Sequence, residues 1–452
     1  MFKKTIGFVS ALCLAAGGEA TPPPEAAQAK AENGALPVLI STDISNGLLD
    51  THGAQGSCPV VYSATSLLHD HDFVPQDTDD GWAVALALNL EAEGLVNVEA
   101  VIPTFGNATL PAEMLVARQI VHNLKGRADI PIPSGAAAPA GQVLQPAPRW
   151  FDGSPVPIAG PKGSFAAACM NPGVELMRDR LMASPEPLTI LALGPLTDIA
   201  CLFLNAPQAV ANIREVVALA SQVAGKPLKI NDLVVNDFNF RTDPLGGALF
   251  LDAAREVPIR LITFALSGRT SQKGDELIVF TPETLKGPSP PTPESERSLD
   301  WLLAAAQKRN AYWAGIFGVP EGPFDQYTLM AAIDPKLFDC REGLAYVQQC
   351  PYPAWSPAMP IGPSGPTEEP YNHEPNPCVD HGTKNGAVLA SVPAQLVVTF
   401  DTSSPGPLVR GATGVAGNIP PLGKAREVTA CVDFASREAF EKFRDVLYKH
   451  TW

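Results

Sequence analysis

The chain has 452 residues, 46% of them hydrophobic, and carries 32 Lys and Arg against 47 Asp and Glu for a net charge of -15. A chain of this length can bury a large core, and it fits one α/β domain with insertions as well as two domains. The acidic balance argues against nucleic acid or an anionic membrane surface as a partner, because both bind basic surfaces.

The N-terminus has the pattern of a secretory signal peptide. Lys3 and Lys4 precede the apolar stretch IGFVSALCLAA and small residues near Ala20. We therefore expect residues 1–20 to be removed and the protein to be exported, either periplasmic or secreted, with no membrane association after cleavage. Cys13 raises the alternative of a lipid-modified cysteine, but a leucine precedes it where such sites prefer a small residue.

Beyond a Pro- and Ala-rich stretch over 21–35, which predicts a disordered linker, strand patterns alternate with helix patterns. The predicted strands are ALPVLIST, VNVEAVIPTF, DIPIPSG, PLTILAL, REVVALAS and PIRLITFAL, then the late antiparallel strands VPAQLVVTFD and AREVTACVDF. Helices are predicted from Trp82, in AEMLVARQIVHNL, GVELMRDRLMA and TDIACLFLN, over about 293–317, from about Asp325 and in REAFEKFRDVLYKH. This order predicts one α/β domain over 36–452, an open, mostly parallel, doubly wound sheet with helices on both faces.

The chain has eight cysteines, and those beyond Cys13 are odd in number, so at least one thiol is expected to be free. The economical pair is Cys340 with Cys350, or either with Cys378, because all three lie in loop-like sequence. Cys201 is interpreted as a core residue and Cys431 as a strand residue. The chain contains no Cys-x-x-Cys spacing, which argues against a zinc site.

Carboxylates cluster where the first strand should give way to a helix. VLISTDIS brings Asp43 to the strand end, and DTDDGWAVALAL brings Asp77, Asp79 and Asp80 to the helix start. Converging carboxylates repel one another unless a cation or a hydroxyl-rich ligand lies among them, and oxygen ligands suit calcium or magnesium. The competing interpretation is that these aspartates cap the helix N-terminus.

Ligands of an open parallel sheet bind beyond the carboxyl ends of its strands. The polar segments that follow the predicted strands are TFGN, GPLTD and NDFNFRTDP, and FDQYTLMAAIDP follows the long helix. Together with the split aspartate pattern, these four segments resemble, in chain order, the motifs of the nucleoside hydrolase family of the inosine-uridine-preferring type. The resemblance implies an enzyme that hydrolyses the N-glycosidic bond of ribonucleosides to ribose and a free base.

Carried over residue by residue, the resemblance implies a calcium ion held by the carboxylates of Asp43, Asp80 and Asp325 and by the backbone carbonyl of Leu193. Asp43 would also be the base that deprotonates a calcium-bound water. The residues implied to hold the ribose hydroxyls are Asp79, Asn107, Asn231, Asp237 and Asn239.

The chain departs from the family pattern at several positions. Ser41 replaces the first Asp, and the turn that follows is expanded into an insertion over 46–76, which is interpreted as a lid. Asp237 stands where the family has Glu, and ALASQVAG replaces a glycine-rich turn. Phe324 stands where many members have a His that protonates the leaving base, so purine nucleosides are the expected substrates.

Two other functions remain open at this stage, a non-catalytic nucleoside- or sugar-binding protein on the same fold and a hydrolase of another N-glycoside. His69 and His71 in the insertion could bind a metal or supply an acid, although a solvated loop is the simpler interpretation. The sequence leaves the oligomeric state open, a homo-oligomer included.

Overall fold

The computed structural model describes residues 34–45, 78–108, 110–140, 169–224, 226, 228–230, 233–235, 237–267, 278–279, 284, 292–349, 379–384, 387–391, 394–400 and 422–450. Contacts within the chain divide it into Met1–Gly34 and Ala35–Trp452, and the fold described here belongs to the second unit. The predicted signal peptide, the predicted insertion over 46–76 and Asn231 lie outside the described residues.

Strands and helices alternate along much of the described chain. The strands are β1 Leu36–Thr42, β2 Val96–Pro103, β3 Leu188–Ala192, β4 Ile213–Leu219, β5 Gln222–Val223, β6 Lys229–Ile230, β7 Leu233–Val234, β8 Ile259–Ile262, β9 Phe338–Gln349, β10 Val379–Lys384, β11 Ala387–Ser391, β12 Ala394–Thr399 and β13 Leu422–Phe434. The helices are α1 Asp79–Ala92, α2 Leu110–Arg118, α3 Pro172–Ala183, α4 Thr197–Asn205, α5 Pro207–Val210, α6 Phe238–Thr242, α7 Pro244–Asp252, α8 Phe264–Ser267, α9 Pro293–Phe317, α10 Gln326–Ile333 and α11 Arg437–His450.

Nine of the described strands form one sheet in the order β2-β1-β3-β4-β8-β13-β9-β12-β5, and β6 with β7 and β10 with β11 form two separate two-stranded sheets. Neighbours from β2 to β13 pair in parallel, whereas β9 runs antiparallel to both β13 and β12. The predicted mostly parallel α/β sheet is therefore confirmed, as are the two late antiparallel strands. β9, which joins them, was not predicted.

Both faces of the sheet are buried, and the strand residues divide between them. On β1, Val38 and Ile40 belong to one hydrophobic cluster with residues of α1, α10 and α11, whereas Leu39 belongs to the other cluster with residues of α3, α4 and α7. A strand covered on both faces reads as a continuous apolar run rather than an alternating one, as β1 does. Among the described helices, none is long and apolar enough to cross a membrane.

The bounds of α9 match the predicted 293–317 because both of its ends carry strong signals. Thr292 accepts a hydrogen bond from the Ser295 amide, and Pro293 occupies the first helical turn. At the other end Gly318 adopts a left-handed backbone with φ 73°, which glycine does without steric cost.

The segment DIPIPSG is not a strand, and that prediction was wrong. Pro131 and Pro133 have no amide hydrogen, so the segment cannot form a regular ladder. It follows the edge of the sheet through two main-chain hydrogen bonds instead, Val101 N to Pro131 O at 3.2 Å and Gly135 N to Pro103 O at 2.8 Å.

The cysteine pairing differs from the expected one. Cys340 pairs with Cys431, and Cys169 pairs with Cys201. Cys340 lies on β9 directly opposite Cys431 on β13, a register that only the unpredicted strand reveals. The expected partners Cys350 and Cys378 lie outside the described residues.

A buried arginine binds the C-terminal end of α7 and the loop that follows it. Arg426 on β13 is 2% exposed and donates to four main-chain carbonyls at the C-terminal end of α7, those of Phe250, Ala253, Ala254 and Val257. The carbonyl of Phe250 belongs to the last turn of α7, where main-chain carbonyls accept no hydrogen bond within the helix, and the other three lie in the loop that follows. Burial lowers the pKa of Arg426 to about 10, so the guanidinium stays charged at neutral pH.

Arg426→Lys should lower the free energy of unfolding by about 2 to 4 kcal/mol, because an ammonium group cannot reach all four carbonyls and leaves buried acceptors unpaired. Urea denaturation measures the change. Arg444→Lys, in the exposed pair with Asp445, is the control and should change stability by less than about 0.5 kcal/mol. Equal effects of the two substitutions would contradict the role given to Arg426.

Candidate active site

The carboxyl end of β1 delivers Asp43 into a buried position. Asp43 is 1% exposed, and its Oδ2 accepts a hydrogen bond from the Asn107 amide at 3.1 Å. Gly106 and Gly194 lie against it, in the loops after β2 and β3. A Cβ atom on Gly106 would overlap the Asp43 carboxylate, and one on Gly194 would lie 2.7 Å from the Asp43 amide nitrogen. Glycine is therefore required for both loops to approach this aspartate so closely.

The first turn of α1 brings two more aspartates to the same edge of the sheet. Asp79 and Asp80 are both buried, and the Asp80 amide donates to Asp79 Oδ1 at 3.1 Å. The Thr42 hydroxyl at the end of β1 donates to Asp80 Oδ1, and the Asn107 side-chain amide lies 3.4 Å from Asp80 Oδ2. Asn107 thus contacts Asp43 through its main chain and Asp80 through its side chain.

The third acidic element is Asp325, immediately before α10. Carboxylate oxygens of Asp79, Asp80 and Asp325 all lie within 4.8 Å of one another, and all three residues are buried. The structure thus brings together two of the predicted calcium ligands, Asp80 and Asp325, with Asp79, which was assigned to the ribose. Asp43 reaches this group through Asn107 rather than as one of its three members.

The donor set fits a hard divalent cation. Three buried carboxylates at this separation repel one another, and a cation among them removes the repulsion. Carboxylate oxygens are the ligands that calcium and magnesium prefer, and the group includes neither thiolate nor imidazole, which softer metals favour. The acidic group could therefore hold a metal ion.

The Leu193 carbonyl, a predicted metal ligand, lies at the end of β3. It accepts a hydrogen bond from the side-chain amide of Asn239, which also donates to Leu219 O at 3.1 Å. Asn239 therefore ties the ends of β3 and β4 together, and its predicted contact with ribose stays a prediction. A carbonyl oxygen has two lone pairs, so the Leu193 carbonyl can accept this bond and also face a cation.

Asp237 holds the turn that replaces the family's glycine-rich loop. Its Oδ2 accepts from the Ser221 amide at 2.6 Å, and its Oδ1 accepts from the Phe240 amide at 2.9 Å as the cap of α6. Ser221 has φ 86°, a left-handed backbone that is uncommon for a residue other than glycine. The buried Asp237 carboxylate therefore stabilises this turn, and its predicted contact with ribose stays a prediction.

Phe324 belongs to an aromatic group beside the acidic residues. Its ring centroid lies 5.9 Å from that of Phe264 at the start of α8 and 6.0 Å from that of Trp313 on α9. Phe324 is 8% exposed. The residue before Asp325 is thus part of an apolar wall.

Two further buried carboxylates lie on the face of the sheet that is covered by α3, α4 and α7. Asp198 of the GPLTD segment accepts from the Ala136 amide and from Asn171 Nδ2, and Asp243 accepts from the Ala140 and Gly246 amides. Burial raises the pKa of both carboxyls. They fasten the 135–140 loop and α7 to the start of α4.

Several residues of the site were not predicted. They are Thr42, Thr78, Glu113, Glu321 and Gln326, which contact the aspartates or the segments that carry them. Glu113, for example, accepts from the Ala108 amide at 2.9 Å and holds the loop that contains Asn107. Proximity to a predicted aspartate in sequence was the available signal for Thr42, Thr78 and Gln326.

Gly106→Ala should lower the free energy of unfolding by about 1 to 3 kcal/mol, because the added methyl group overlaps the Asp43 carboxylate. Gly315→Ala on α9, where an added Cβ meets nothing within 4 Å, is the matched control. It should stabilise the helix by about 0.5 to 1 kcal/mol. Urea denaturation of both variants measures the difference, and a Gly106→Ala protein as stable as the control would contradict the described packing.

Comparisons with known proteins identify the family to which the chain is similar. The sequence model of the family described as inosine-uridine preferring nucleoside hydrolase matches residues 67–440. The non-specific ribonucleoside hydrolase RihC of Salmonella enteritidis PT4 is 30% identical over 194 residues, which cover 40% of this chain and 58% of that protein. RihC of Salmonella newport SL254 gives the same values. The chain thus matches less than two thirds of the length of these relatives.

A solved plant nucleoside hydrolase, the PpNRh1 enzyme, superposes with a TM-score of 0.50 over 91% of this chain and 99% of its own, at 15% identity. At this identity the likeness shows the fold alone. The family match covers most of the chain and includes α1 and Asp325. Asp43 precedes the matched residues and directly follows β1. The chain belongs to the inosine-uridine preferring nucleoside hydrolase family.

Proposed function

We propose that the protein is a calcium-dependent N-ribohydrolase that cleaves ribonucleosides to ribose and a free base. The observation that carries the proposal is the buried group of Asp79, Asp80 and Asp325 at the carboxyl edge of the sheet, next to Asp43, in a member of this family. Ligands of open parallel sheets bind at this edge.

The residues that would hold the cation are Asp43, Asp80 and Asp325 together with the Leu193 carbonyl. When bound, the cation supplies Lewis-acid activation and orientation of the attacking water. Asp43 takes up the water proton as general base. The Asn107 amide donates a hydrogen bond to Asp43 Oδ2 at 3.1 Å. This bond orients the carboxylate and so also sets the direction of its other oxygen.

The ribose is held by Asp79 and Asn107 at the buried end of the site, with Asn231, Asp237 and Asn239 assigned from the resemblance. Fixed hydrogen bonds to the sugar hydroxyls favour the transition state, in which C1 takes on oxocarbenium character. Asn107 is well suited to this role because its main chain is already fixed against Asp43.

Purine nucleosides are the proposed preferred substrates. Phe324 packs against Phe264 in a tilted and against Trp313 in an edge-to-face arrangement, and it cannot donate a proton. A pyrimidine leaving group depends strongly on protonation by a nearby acid, whereas a purine accepts a proton at N7 and offers a wide face for stacking.

We propose that the protein is exported, because its N-terminus has the pattern of a signal peptide. The two disulfides, Cys169 with Cys201 and Cys340 with Cys431, support it, because disulfides persist in oxidising compartments. Cell fractionation tests this point, and full-length protein retained in the cytoplasm would contradict it.

Asp43→Asn should lower kcat by about 10²- to 10⁴-fold, because the amide cannot accept the proton and is a weaker ligand. The measurement is ribose release from inosine with calcium present. The wild-type protein should bind about one equivalent of calcium, and a chelator should remove both the calcium and the activity.

Asp445→Asn, an exposed aspartate of α11, is the matched control and should leave ribose release unchanged. Asp43→Asn activity equal to that of wild type would refute the assignment. Calorimetric binding of inosine without release of ribose by the wild type would favour a binding protein over an enzyme.

The base preference predicts a larger kcat/KM for inosine than for uridine. Phe324→His supplies an acid at the position where many family members have one, so it should raise kcat/KM for uridine relative to inosine. Steady-state kinetics of both proteins on both substrates decide the matter. A wild-type uridine value equal to or above that of inosine would remove the proposal.

A further inference from the structure

The segment that carries Asp325 is fastened to the segment that carries Asp79 and Asp80 at two points. This segment comprises the connection from α9 to α10, which contains Glu321 and Asp325, and the first residue of α10, Gln326. Glu321 and Gln326 are both buried, although neither belongs to the acidic group itself.

The first point is a hydrogen bond from Gln326. Its Nε2 donates to the main-chain carbonyl of Asp79 at 2.8 Å, and the side chain is 0% exposed. Because the acceptor is the backbone of Asp79, the bond acts on the position of the whole first turn of α1 and not on one carboxylate rotamer. The bond therefore holds the residue next to Asp325 against Asp79, although the carboxylates of Asp79 and Asp325 repel each other.

The second point is a contact between Glu321 and Thr78. The Thr78 hydroxyl lies 3.4 Å from Glu321 Oε2. Thr78 occupies the cap position of α1, yet within the described residues no first-turn amide of that helix bonds to its hydroxyl. The hydroxyl is therefore directed across to the Asp325 segment instead of capping its own helix.

Arg309 on α9 pairs with Glu321 and offsets its negative charge close to the acidic group. Its Nε donates to Glu321 Oε1 at 2.7 Å, and its guanidinium lies 5.1 Å from the centroid of the Trp313 ring. The two side chains of the ion pair are 11% and 3% exposed. Pairing with Arg309 offsets the charge of Glu321, so that this carboxylate need not add to the repulsion within the acidic group.

We propose that Glu321 and Gln326 are positioning residues for the metal site, and that Arg309 connects this function to α9. We call the two contacts, Gln326 with Asp79 and Glu321 with Thr78, the clamp. The clamp sets the separation of Asp79, Asp80 and Asp325 before the cation binds, so that less free energy is spent on bringing like charges together. The inference rests on the cation in the proposed function.

Calorimetric titration of the chelator-treated full-length protein with calcium tests the clamp. Glu321→Gln removes the charge that pairs with Arg309, and Gln326→Met removes the donor to Asp79 at similar side-chain volume. Each should weaken calcium binding by about 10- to 100-fold, the range typical for residues that support metal ligands. The rise in melting temperature on adding calcium should shrink accordingly in both variants.

Glu215→Gln is the matched control. Glu215 pairs with Arg260 at 3.1 Å, with side chains 16% and 18% exposed, and it lies near the start of β4, at the opposite end of that strand from the site. This variant should lose stability in the way Glu321→Gln does but keep the wild-type dissociation constant for calcium.

The outcomes separate the clamp from the proposed function. Wild-type calcium binding with unchanged affinity in Gln326→Met and Glu321→Gln overturns the clamp alone, and so does equal weakening in Glu215→Gln. Absence of calcium binding by the wild type overturns both. If Glu321→Gln does not fold, Thr78→Val takes its place, with Thr78→Ser expected to restore the affinity because it keeps the hydroxyl.

Discussion

Repulsion among buried carboxylates is the constraint on which the rest of this structure depends. Asp79, Asp80 and Asp325 present oxygens within 4.8 Å of one another. Two like charges at that distance repel by on the order of 3 kcal/mol even at an effective dielectric constant of about 20. The surrounding structure opposes this repulsion with directed donors, among them the Thr42 hydroxyl and the Asn107 side chain on Asp80. A bound divalent cation would remove most of the remaining cost.

The fold makes this concentration of charge feasible by distributing it over separate, well-packed elements. Parallel pairing of β1 with β2 and β3 brings three strand ends to one edge, and glycines allow the following loops to close on Asp43. On the helical side, Tyr327 follows Asp325 closely and stacks on Phe443 of α11 with ring centroids 4.4 Å apart. The start of α10 is therefore anchored in an aromatic core, and the carboxylate in front of it is held by packing as well as by hydrogen bonds.

Much of the fold and the main acidic residues could be predicted from the sequence, because both are encoded locally. The parallel sheet follows from the alternation of strand patterns with helix patterns along the chain, and Asp79 and Asp80 begin a helix that its own sequence defines. What could not be predicted depends on contacts between distant segments. The pairing of Cys340 with Cys431 requires the register of β9, and the clamp residues Glu321 and Gln326 acquire their role only when α10 packs beside α1. Asp237 also supports the Ser221 turn, a structural role that the sequence did not indicate and that its hydrogen bond to a residue of positive φ reveals.

The central claim is that the acidic group holds one divalent cation next to Asp43. A crystal structure of the protein grown with calcium and a non-hydrolysable nucleoside analogue, with anomalous scattering used to locate the metal, tests it most directly. The account predicts one calcium ion at about 2.3 to 2.6 Å from carboxylate oxygens of Asp43, Asp80 and Asp325 and from the Leu193 carbonyl, with the analogue's ribose beside it. A fully occupied nucleoside without a metal peak among these residues, or a calcium ion bound elsewhere, would contradict it.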